Sequence, residues 1–294
     1  MKLLHGMAPY NLFGLEDQSY DSAKVVAIPV PYDSTTSYRA GAREGPRAII
    51  SASRAIELYS EELGWNPSKI GIFTTEELEP DIGSPERTVK RIAREVGLVL
   101  ADGKMPLILG GEHTVALGAI EALAETNRDF SVVHFDAHAD SRQEFMGSKF
   151  SHACVAARAR ELANRVYSVG VRSIDEESAR KHAKDILYMK DMRRLNSSAL
   201  ARRIAANTGK DVYITIDLDV LDPSEMPSVG TPEPDGMRFR QLVDVIALLL
   251  KSKRLLGLDV TELSPLPGNT APDYLAAKLI YLVIGNAFIG EMSK

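Results

Sequence analysis

The segment SVVHFDAHAD, residues 131–140, joins an apolar run to three side chains that can bind metal. The run is rich in β-branched and aromatic residues, which is typical of a buried strand. Successive side chains of a strand point to opposite faces, so the i, i+2, i+4 spacing of Asp136, His138 and Asp140 turns all three toward one side. The segment therefore predicts a metal site at the end of a buried strand. His134, within the run, is interpreted as a hydrogen-bonded core residue.

Two further polar clusters follow apolar runs of the same kind. Gly110-Gly111-Glu112-His113 comes after the run 107–109, and Asp217-Leu218-Asp219 closes the run 212–216. Taken singly, His113 could instead be a helix cap or a hydrogen-bonded core residue, and the aspartate pair could form a turn or a helix cap. Carboxylates held together at buried strand ends repel one another and lose solvation, which a bound cation relieves. We therefore predict a site for two divalent ions with these candidate ligands: His113, Asp136, His138, Asp140, Asp217 and Asp219.

Apolar runs of strand length alternate with stretches of helix length along the chain. The predicted strands are 25–29, 70–73, 107–109, 131–135, 166–171, 186–188, 212–217 and 255–260. The predicted helices are 46–60, 85–100, 115–124, 153–163, 176–183, 198–206, 239–252 and 274–289, and Ser84 caps the second of them. Strands separated by helices imply right-handed crossovers. The sequence predicts an α/β fold: a three-layer αβα sandwich with a mainly parallel eight-stranded sheet, in one domain spanning residues 1–294. The three clusters fall at the carboxyl ends of strands, where such sheets bind ligands.

Composition and charge narrow the class of protein. The 294 residues carry 40 acidic and 35 basic side chains, a net charge of -5, without the basic patch that nucleic acid requires. The most apolar stretches, 242–250 and 274–289, fall short of the roughly 20 apolar residues that a membrane span needs. The apolar run within the N-terminal residues 1–6 is too short for a secretory signal, and the single cysteine, Cys154, excludes an internal disulfide. We expect a cytoplasmic protein that acts on a small molecule, with no nucleic-acid or membrane partner.

Three more motifs accompany the clusters. They are Gly41-Ala42-Arg43-Glu44-Gly45-Pro46, Gly230-Thr231-Pro232-Glu233-Pro234-Asp235-Gly236 and Asp259-Val260-Thr261-Glu262-Leu263-Ser264-Pro265. Together with the clusters they make most of the chain resemble the ureohydrolase family of arginases and agmatinases. Glu112 stands where the family often has aspartate. The first two motifs also have a local explanation as turns, and we assign neither a catalytic role.

The resemblance implies an arginase-like fold around a binuclear manganese centre. It implies that His113 and Asp140 complete the shell of one ion, that His138 and Asp219 complete that of the other, and that Asp136 and Asp217 bridge the two. An oxygen-rich ligand set with a minority of imidazoles and no cysteine suits Mn²⁺ better than structural zinc. Two Mn²⁺ ions per chain are therefore expected. By the same resemblance the chain forms a homo-oligomer, a trimer or a hexamer.

The resemblance also implies a reaction on a cationic guanidinium substrate, which releases urea and a primary amine. Two neighbouring metal ions lower the pKa of water and position it for attack. Asp140 carries a proton to the departing amine. Glu262, past the predicted strand 255–260, accepts two parallel hydrogen bonds from the planar guanidinium. His152 contacts the substrate and relays protons to solvent. Without a catalytic role, Glu262 would be a surface carboxylate that caps the following loop, and His152 would cap a helix.

Substrate choice depends on the loop after Asp140. Residues 141–151 lack the asparagine and serine pattern in which arginases are similar to one another, and they look more like agmatinases. Glu144 suits a distal ammonium, so agmatine, which would give putrescine and urea, is the favoured substrate. Alternatively, Arg142 and Lys149 could bind a carboxylate of the substrate, as in guanidinobutyrate or arginine.

Two other classes of protein remain as alternatives. A zinc deacetylase of related fold uses a tandem histidine pair, and none of the six histidines adjoins another. A non-catalytic metal-binding or regulatory relative is expected to lose ligands, whereas every expected position is filled. Both alternatives are disfavoured.

Overall fold

A computed structural model describes residues 7–126 and 129–291 of the chain, and its framework is a parallel sheet. Residues 1–6, on which the absence of a secretory signal was predicted, lie outside the described residues. Within the described part, the sheet consists of β1 (Val25–Val30), β2 (Ile72–Thr74), β3 (Met105–Gly110), β4 (Ser131–Phe135), β5 (Arg165–Val171), β6 (Ile186–Tyr188), β7 (Asp211–Asp217) and β8 (Arg254–Thr261). Their order is β2-β1-β3-β8-β7-β4-β5-β6, and every neighbouring pair is parallel. The predicted eight-stranded parallel sheet is confirmed.

Helices connect the strands. In the described residues they are α1 (Gly45–Ser53), α2 (Pro85–Ala101), α3 (Ala116–Glu125), α4 (Val155–Leu162), α5 (Glu176–His182), α6 (Met189–Met192), α7 (Ser197–Ala206), α8 (Phe239–Leu250) and α9 (Ala271–Ala287). Among the residues described, none of these helices has the length and apolar character of a membrane span.

The helices cover both faces of the sheet. On one face α1, α7, α8 and α9 bury apolar side chains against it, among them Ile49, Leu200, Leu242 and Ile280. On the other face α2, α3 and α4 do the same, among others through Ile92, Ile120 and Ala159. Every residue of β1, β3, β4 and β7 is buried, as expected of strands covered on both sides. Each large aliphatic side chain so buried contributes about 1.5–3 kcal/mol. The predicted three-layer αβα sandwich is confirmed.

The helix predicted for residues 46–60 is wrong at its C-terminal end. The helix ends at Ser53, and farther on Ser60 pairs with Trp65 in an antiparallel bridge. Ile56 lies between these two features and packs into the core without being helical. The apolar content of the segment therefore reflects burial and not helix formation.

Side chains that cap turns set two other element boundaries. The predicted cap of α2 is confirmed, because the Ser84 hydroxyl accepts a hydrogen bond from the Arg87 N–H at 3.2 Å. The strand predicted for residues 70–73 begins only at Ile72. The residues before it form a 3₁₀ turn in which the Asn66 side chain accepts a hydrogen bond from the Ser68 N–H at 3.0 Å. Capping decides these boundaries, since it satisfies amides that have no partner within the helix or turn.

Four adjacent strands in the middle of the sheet position the polar clusters. They are β3, β8, β7 and β4 in that order. Because all strands are parallel, their carboxyl ends lie along one edge, where the chain leaves the sheet and polar side chains need not pack in the core.

Candidate functional site

The predicted site residues come together at this edge. His113 follows β3, Asp136 follows β4, Asp217 ends β7 and Glu262 follows β8. A cleft of about 320 Å³ is lined by most of them, namely His113, His138, Asp140, Asp217, Asp219, Glu262 and His152. Asp136 is fully buried beneath the cleft. Residues far apart in sequence thus share one small volume.

One imidazole nitrogen faces three carboxylates. His113 Nδ1 lies 3.0 Å from Asp136 Oδ2, 3.2 Å from Asp140 Oδ2 and 3.3 Å from Asp217 Oδ2. Despite these distances, neither His113 Nδ1 nor Asp136 Oδ2 forms a hydrogen bond with any described residue, and both atoms are buried. Buried polar atoms without a hydrogen-bond partner are rare. Nitrogen and oxygen atoms that converge in this way, without hydrogen bonds between them, are suited to binding a metal ion.

A second group shares Asp136 with the first. His138 Nδ1 lies 2.8 Å from Asp219 Oδ2 and 3.5 Å from Asp136 Oδ1. The two carboxylate oxygens of Asp136 therefore face different histidines, Oδ2 toward His113 and Oδ1 toward His138. Among the described residues, both groups of side chains that could hold a metal ion therefore contain the Asp136 carboxylate.

The backbone brings these side chains together differently from the extended geometry predicted for 136–140. β4 ends at Phe135, His138 makes only an isolated bridge, and Asp140 has a φ of 44°. Asp219 lies in a 3₁₀ turn and not in a continuing strand. The side chains converge because the chain turns at each strand end, and not because of strand alternation.

Crowded buried carboxylates shape the electrostatics. Burial, together with the charges of Asp219 and Asp136, raises the pKa of Asp217 well above its usual value. Burial opposes protonation of His138, but the carboxylates of Asp219 and Asp136 outweigh it and raise its pKa to about 12. Both groups hold protons more tightly than free side chains do, which shows a need for positive charge. Divalent cations meet that need, and the residues fit a metal site.

Hydrogen bonding fixes the tautomer of His113. The Thr215 hydroxyl donates to Asp259 Oδ1 at 2.7 Å, and His113 Nε2 lies 2.8 Å from the same hydroxyl oxygen. Because a threonine hydroxyl has one proton, the imidazole must donate from Nε2. In the neutral imidazole, Nδ1 then carries the lone pair that a metal ligand requires. Sequence reasoning missed Thr215, although it precedes Asp217 by the same two-residue spacing that marked the other ligands.

His134 lies closer to the site than predicted. Its Nε2 is 2.9 Å from Asp136 Oδ2, its Nδ1 is 3.0 Å from the Ser168 hydroxyl, and its ring stacks on that of His113 with centroids 5.1 Å apart. It can join His113, Asp136 and Asp140 in a metal-binding group. The signal in the sequence was its two-residue spacing from Asp136.

Glu262 forms an inner wall of the cleft. Its Oε1 accepts the His113 backbone N–H at 2.7 Å, and its own N–H donates to the Gly111 carbonyl at 2.8 Å. Its φ of 66° is a conformation that costs a non-glycine residue about 1–3 kcal/mol. Burial and then the charge of Glu112 raise its pKa to about 8. With Oε1 engaged, Oε2 remains for a cationic ligand.

A hydrogen-bond network that sequence analysis did not predict holds His152. Buried Glu112 accepts the N–H of Thr35 at 2.6 Å and its hydroxyl at 2.7 Å. Because the Thr35 hydroxyl donates its proton to Glu112, the Thr35 oxygen acts as an acceptor toward His152. It accepts from the His152 backbone N–H at 3.1 Å and from His152 Nδ1 at 3.2 Å. The Nε2 of His152 is left as an acceptor, 3.3 Å from the Ser37 hydroxyl. His152 therefore lines the cleft with Nε2 as a hydrogen-bond acceptor.

The loop after Asp140 contributes less than predicted. Neither Glu144 nor Lys149 lines the cleft, whereas Arg142 lies at its rim with its guanidinium 5.5 Å from the Phe145 ring centre. Glu144 borders a neighbouring cavity of about 260 Å³. Asp175 lines both cavities, and sequence analysis had not singled it out.

Comparisons with known proteins agree with this geometry. A family model described as the Arginase family matches residues 23–285. An N(1)-aminopropylagmatine ureohydrolase of Thermus thermophilus is 40% identical over 275 residues, which are 93% of this chain and 94% of that protein. An agmatinase of Halalkalibacterium halodurans is 34% identical over 258 residues, 86% of this chain and 88% of that protein. The crystal structure of an agmatine ureohydrolase of Thermoplasma volcanium matches with a TM-score of 0.86 and 31% identity, covering 94% of each chain. The chain therefore belongs to the arginase family, as an agmatinase-like ureohydrolase.

Proposed function

We propose that this chain hydrolyses agmatine to putrescine and urea with two Mn²⁺ ions. The observation that supports the proposal is the convergence of two histidines and four aspartates on the floor of one cleft whose wall carries Glu262. Four aspartates offset the charge of two divalent ions, which leaves the carboxyl of Glu262 for the substrate. Because burial raises its pKa to about 8, a cationic group beside it is what favours the ionised form, so Glu262 suits a cationic substrate. A guanidinium group has the charge and the planar donors that such a wall accepts.

His113 and Asp140 would hold one ion, His138 and Asp219 the other, with Asp136 and Asp217 between them. The two histidines lie on either side of the Asp136 carboxylate, which supports this division. When bound, the ions lower the pKa of water and place it for attack on the guanidinium carbon.

Three side chains do the remaining chemistry. Glu262 accepts hydrogen bonds from the substrate guanidinium and orients it above the floor of the cleft. Asp140 transfers a proton to the departing amine, and its carboxylate lies 3.2 Å from His113 Nδ1, at the centre of the polar cluster. His152 contacts the substrate and exchanges protons with solvent through Nε2, because Thr35 engages its Nδ1. Together they bind the cation, deliver a proton and restore it.

N(1)-aminopropylagmatine is a second candidate substrate. The relative that is 40% identical carries that name, whereas the agmatinase described above is 34% identical. The cleft borders the 260 Å³ cavity through Ser141, Arg142 and Asp175, so an extended tail has space beyond it. The two substrates share the guanidinobutyl end and differ only in that tail.

Urea release from four guanidines tests the proposal. The protein is stripped of metal, reloaded with Mn²⁺, and assayed with agmatine, N(1)-aminopropylagmatine, arginine and guanidinobutyrate. We expect about two Mn²⁺ ions per chain and the highest kcat/KM on agmatine; the highest value on the aminopropyl compound supports the second candidate. A dominant rate on arginine or guanidinobutyrate contradicts the proposal that the distal end of the substrate is only a cationic amine. No urea from any of the four, with two ions bound, refutes the assignment.

We also propose that the chain assembles as a trimer or a hexamer, as its resemblance to ureohydrolases implies. Light scattering coupled to gel filtration measures the mass directly. A mass equal to that of one or two chains contradicts this assembly.

A further inference from the structure

We propose that Arg172 is a positioning residue that holds in place the half of the metal centre formed by Asp219 and His138. This inference rests on the proposed metal centre. Arg172 follows β5 directly, and no predicted motif includes it. Its guanidinium reaches across the carboxyl end of β7, next to the cleft.

The guanidinium of Arg172 binds the backbone of three separate segments. Its shortest bonds run from Nη2 to the Asp219 carbonyl at 2.7 Å, from Nη2 to the Glu233 carbonyl at 2.8 Å, and from Nε to the Pro234 carbonyl at 2.9 Å. Longer contacts of 3.2–3.3 Å reach the carbonyls of Gly170, Val220 and Leu221. A guanidinium has five N–H donors in a rigid plane, and here they meet six carbonyls of the described residues.

These contacts fix the turn that carries Asp219. The carbonyls of Asp219, Val220 and Leu221 all face the guanidinium of Arg172, the first and third at Nη2 and the second at Nη1. Their negative ends repel one another, and a positive charge among them offsets that repulsion. The guanidinium supplies that charge. The Asp219 side chain then has a defined place, with Oδ1 accepting the Ala137 N–H at 3.0 Å and Oδ2 2.8 Å from His138 Nδ1.

The same guanidinium fixes the loop 230–236, to which sequence analysis assigned no catalytic role. With its backbone carbonyl bound to Arg172, Glu233 extends its carboxylate to 3.8 Å from His138 Nε2. The imidazole of His138 thus lies between Asp219 at Nδ1 and Glu233 at Nε2. Arg172 therefore orders both flanks of this ligand.

The other half of the centre is held by different means. His113 is oriented by Thr215 and by the bond from its backbone N–H to Glu262. In the part of the chain that the structure describes, the hydrogen bonds of Arg172 involve neither residue. Loss of the guanidinium should therefore affect the two ions unequally.

Manganese binding to metal-free Arg172→Met and Arg172→Lys tests this inequality. Methionine keeps much of the side-chain length without any donor, and lysine keeps the charge with fewer donors. In Arg172→Met we expect one ion to bind about 10- to 100-fold more weakly while the other binds as in the wild type. Arg172→Lys should fall between. The isotherm is measured by calorimetry, and free Mn²⁺ is counted by electron paramagnetic resonance.

Hydrogen exchange in the metal-free protein gives a second readout that needs neither metal nor activity. Amides of residues 218–222 and 233–237 should exchange faster in Arg172→Met. Lys253→Met is the matched control, because Lys253 Nζ donates to the carbonyls of Ala205 at 2.7 Å and Thr208 at 2.8 Å at the opposite edge of the sheet. This control should keep both manganese sites and the wild-type exchange of the two segments.

Several outcomes would overturn the role of Arg172. They are wild-type binding of both ions and unchanged exchange in Arg172→Met, equal weakening of both ions, or the same loss of metal in Lys253→Met. A wild-type protein that binds one ion contradicts the two-ion centre and not the role of Arg172. In that case the exchange comparison alone decides it.

Discussion

Glu262→Gln isolates the charge that we assign to guanidinium binding. In the wild type, Oε1 of Glu262 accepts the His113 backbone N–H at 2.7 Å. A glutamine keeps this bond through its amide oxygen, so its NH₂ group takes the position of Oε2. An acceptor that faces the cleft is thereby replaced by a donor. The cationic guanidinium, which offers only donors, loses its partner there while the backbone stays in place.

The size of the effect follows from this single exchange. A hydrogen bond to a charged group contributes about 1.5–3 kcal/mol, which corresponds to a roughly 10- to 150-fold fall in kcat/KM. We expect this fall for urea release from agmatine, with the manganese content unchanged. Initial rates are measured at saturating Mn²⁺, and bound metal is quantified by mass spectrometry.

An exposed carboxylate supplies the control for this experiment. Glu176 lies at the start of α5 with its side chain 86% exposed, so Glu176→Gln removes the same charge without touching the cleft. It should leave kcat/KM unchanged. A Glu262→Gln protein with both ions bound and a kcat/KM close to that of the wild type would refute the role of Glu262. Loss of manganese in this variant would show instead that the carboxylate supports the metal centre.

Three further predictions concern stability. Without metal, stability should fall as pH rises from about 6.5 to 9, because the raised pKa of His138 lets the folded protein keep a proton that the unfolded chain has released. Denaturant melts with and without Mn²⁺ measure this, and a flat profile contradicts it. Thr35→Val should cost roughly 1–3 kcal/mol, since buried Glu112 loses a hydroxyl donor, and an unchanged urea midpoint would contradict it. Ser84→Ala should cost about 1 kcal/mol through the lost cap of α2; a thermal melt superimposable on that of the wild type would count against it.

The convergence of the candidate ligands was predictable because it depends on two local features. Each cluster follows an apolar run, and parallel strands bring their carboxyl ends to one edge. The change from an apolar run to a polar cluster is visible between adjacent residues, such as Phe135 and Asp136. The turn at Asp140, with its φ of 44°, was not predictable. Its conformation is imposed by the structure around it and not by its own propensity.

Residues that act from a distance escaped sequence reasoning for a physical reason. Thr35 reaches Glu112 across 77 positions, and Arg172 reaches Asp219 across 47. Neither belongs to a run with strand or helix periodicity, so only the packed fold brings the partners together. The end of α1 was missed for a related reason: Ile56 is apolar because it is buried, and burial does not require a helix.

The position of β8 constrains how the protein can be made. Of the strands in the described residues it is the last to leave the ribosome, yet it lies between β3 and β7 in the middle of the sheet. Until residues 254–261 emerge, the earlier strands can form only two partial sheets, β2-β1-β3 and β7-β4-β5-β6, each with an open central edge. Such edges readily pair with the wrong partner. The position between β3 and β7 must therefore stay unoccupied until β8 is made. Glu262, which follows β8, can join the cleft only after β8 has paired with both neighbours.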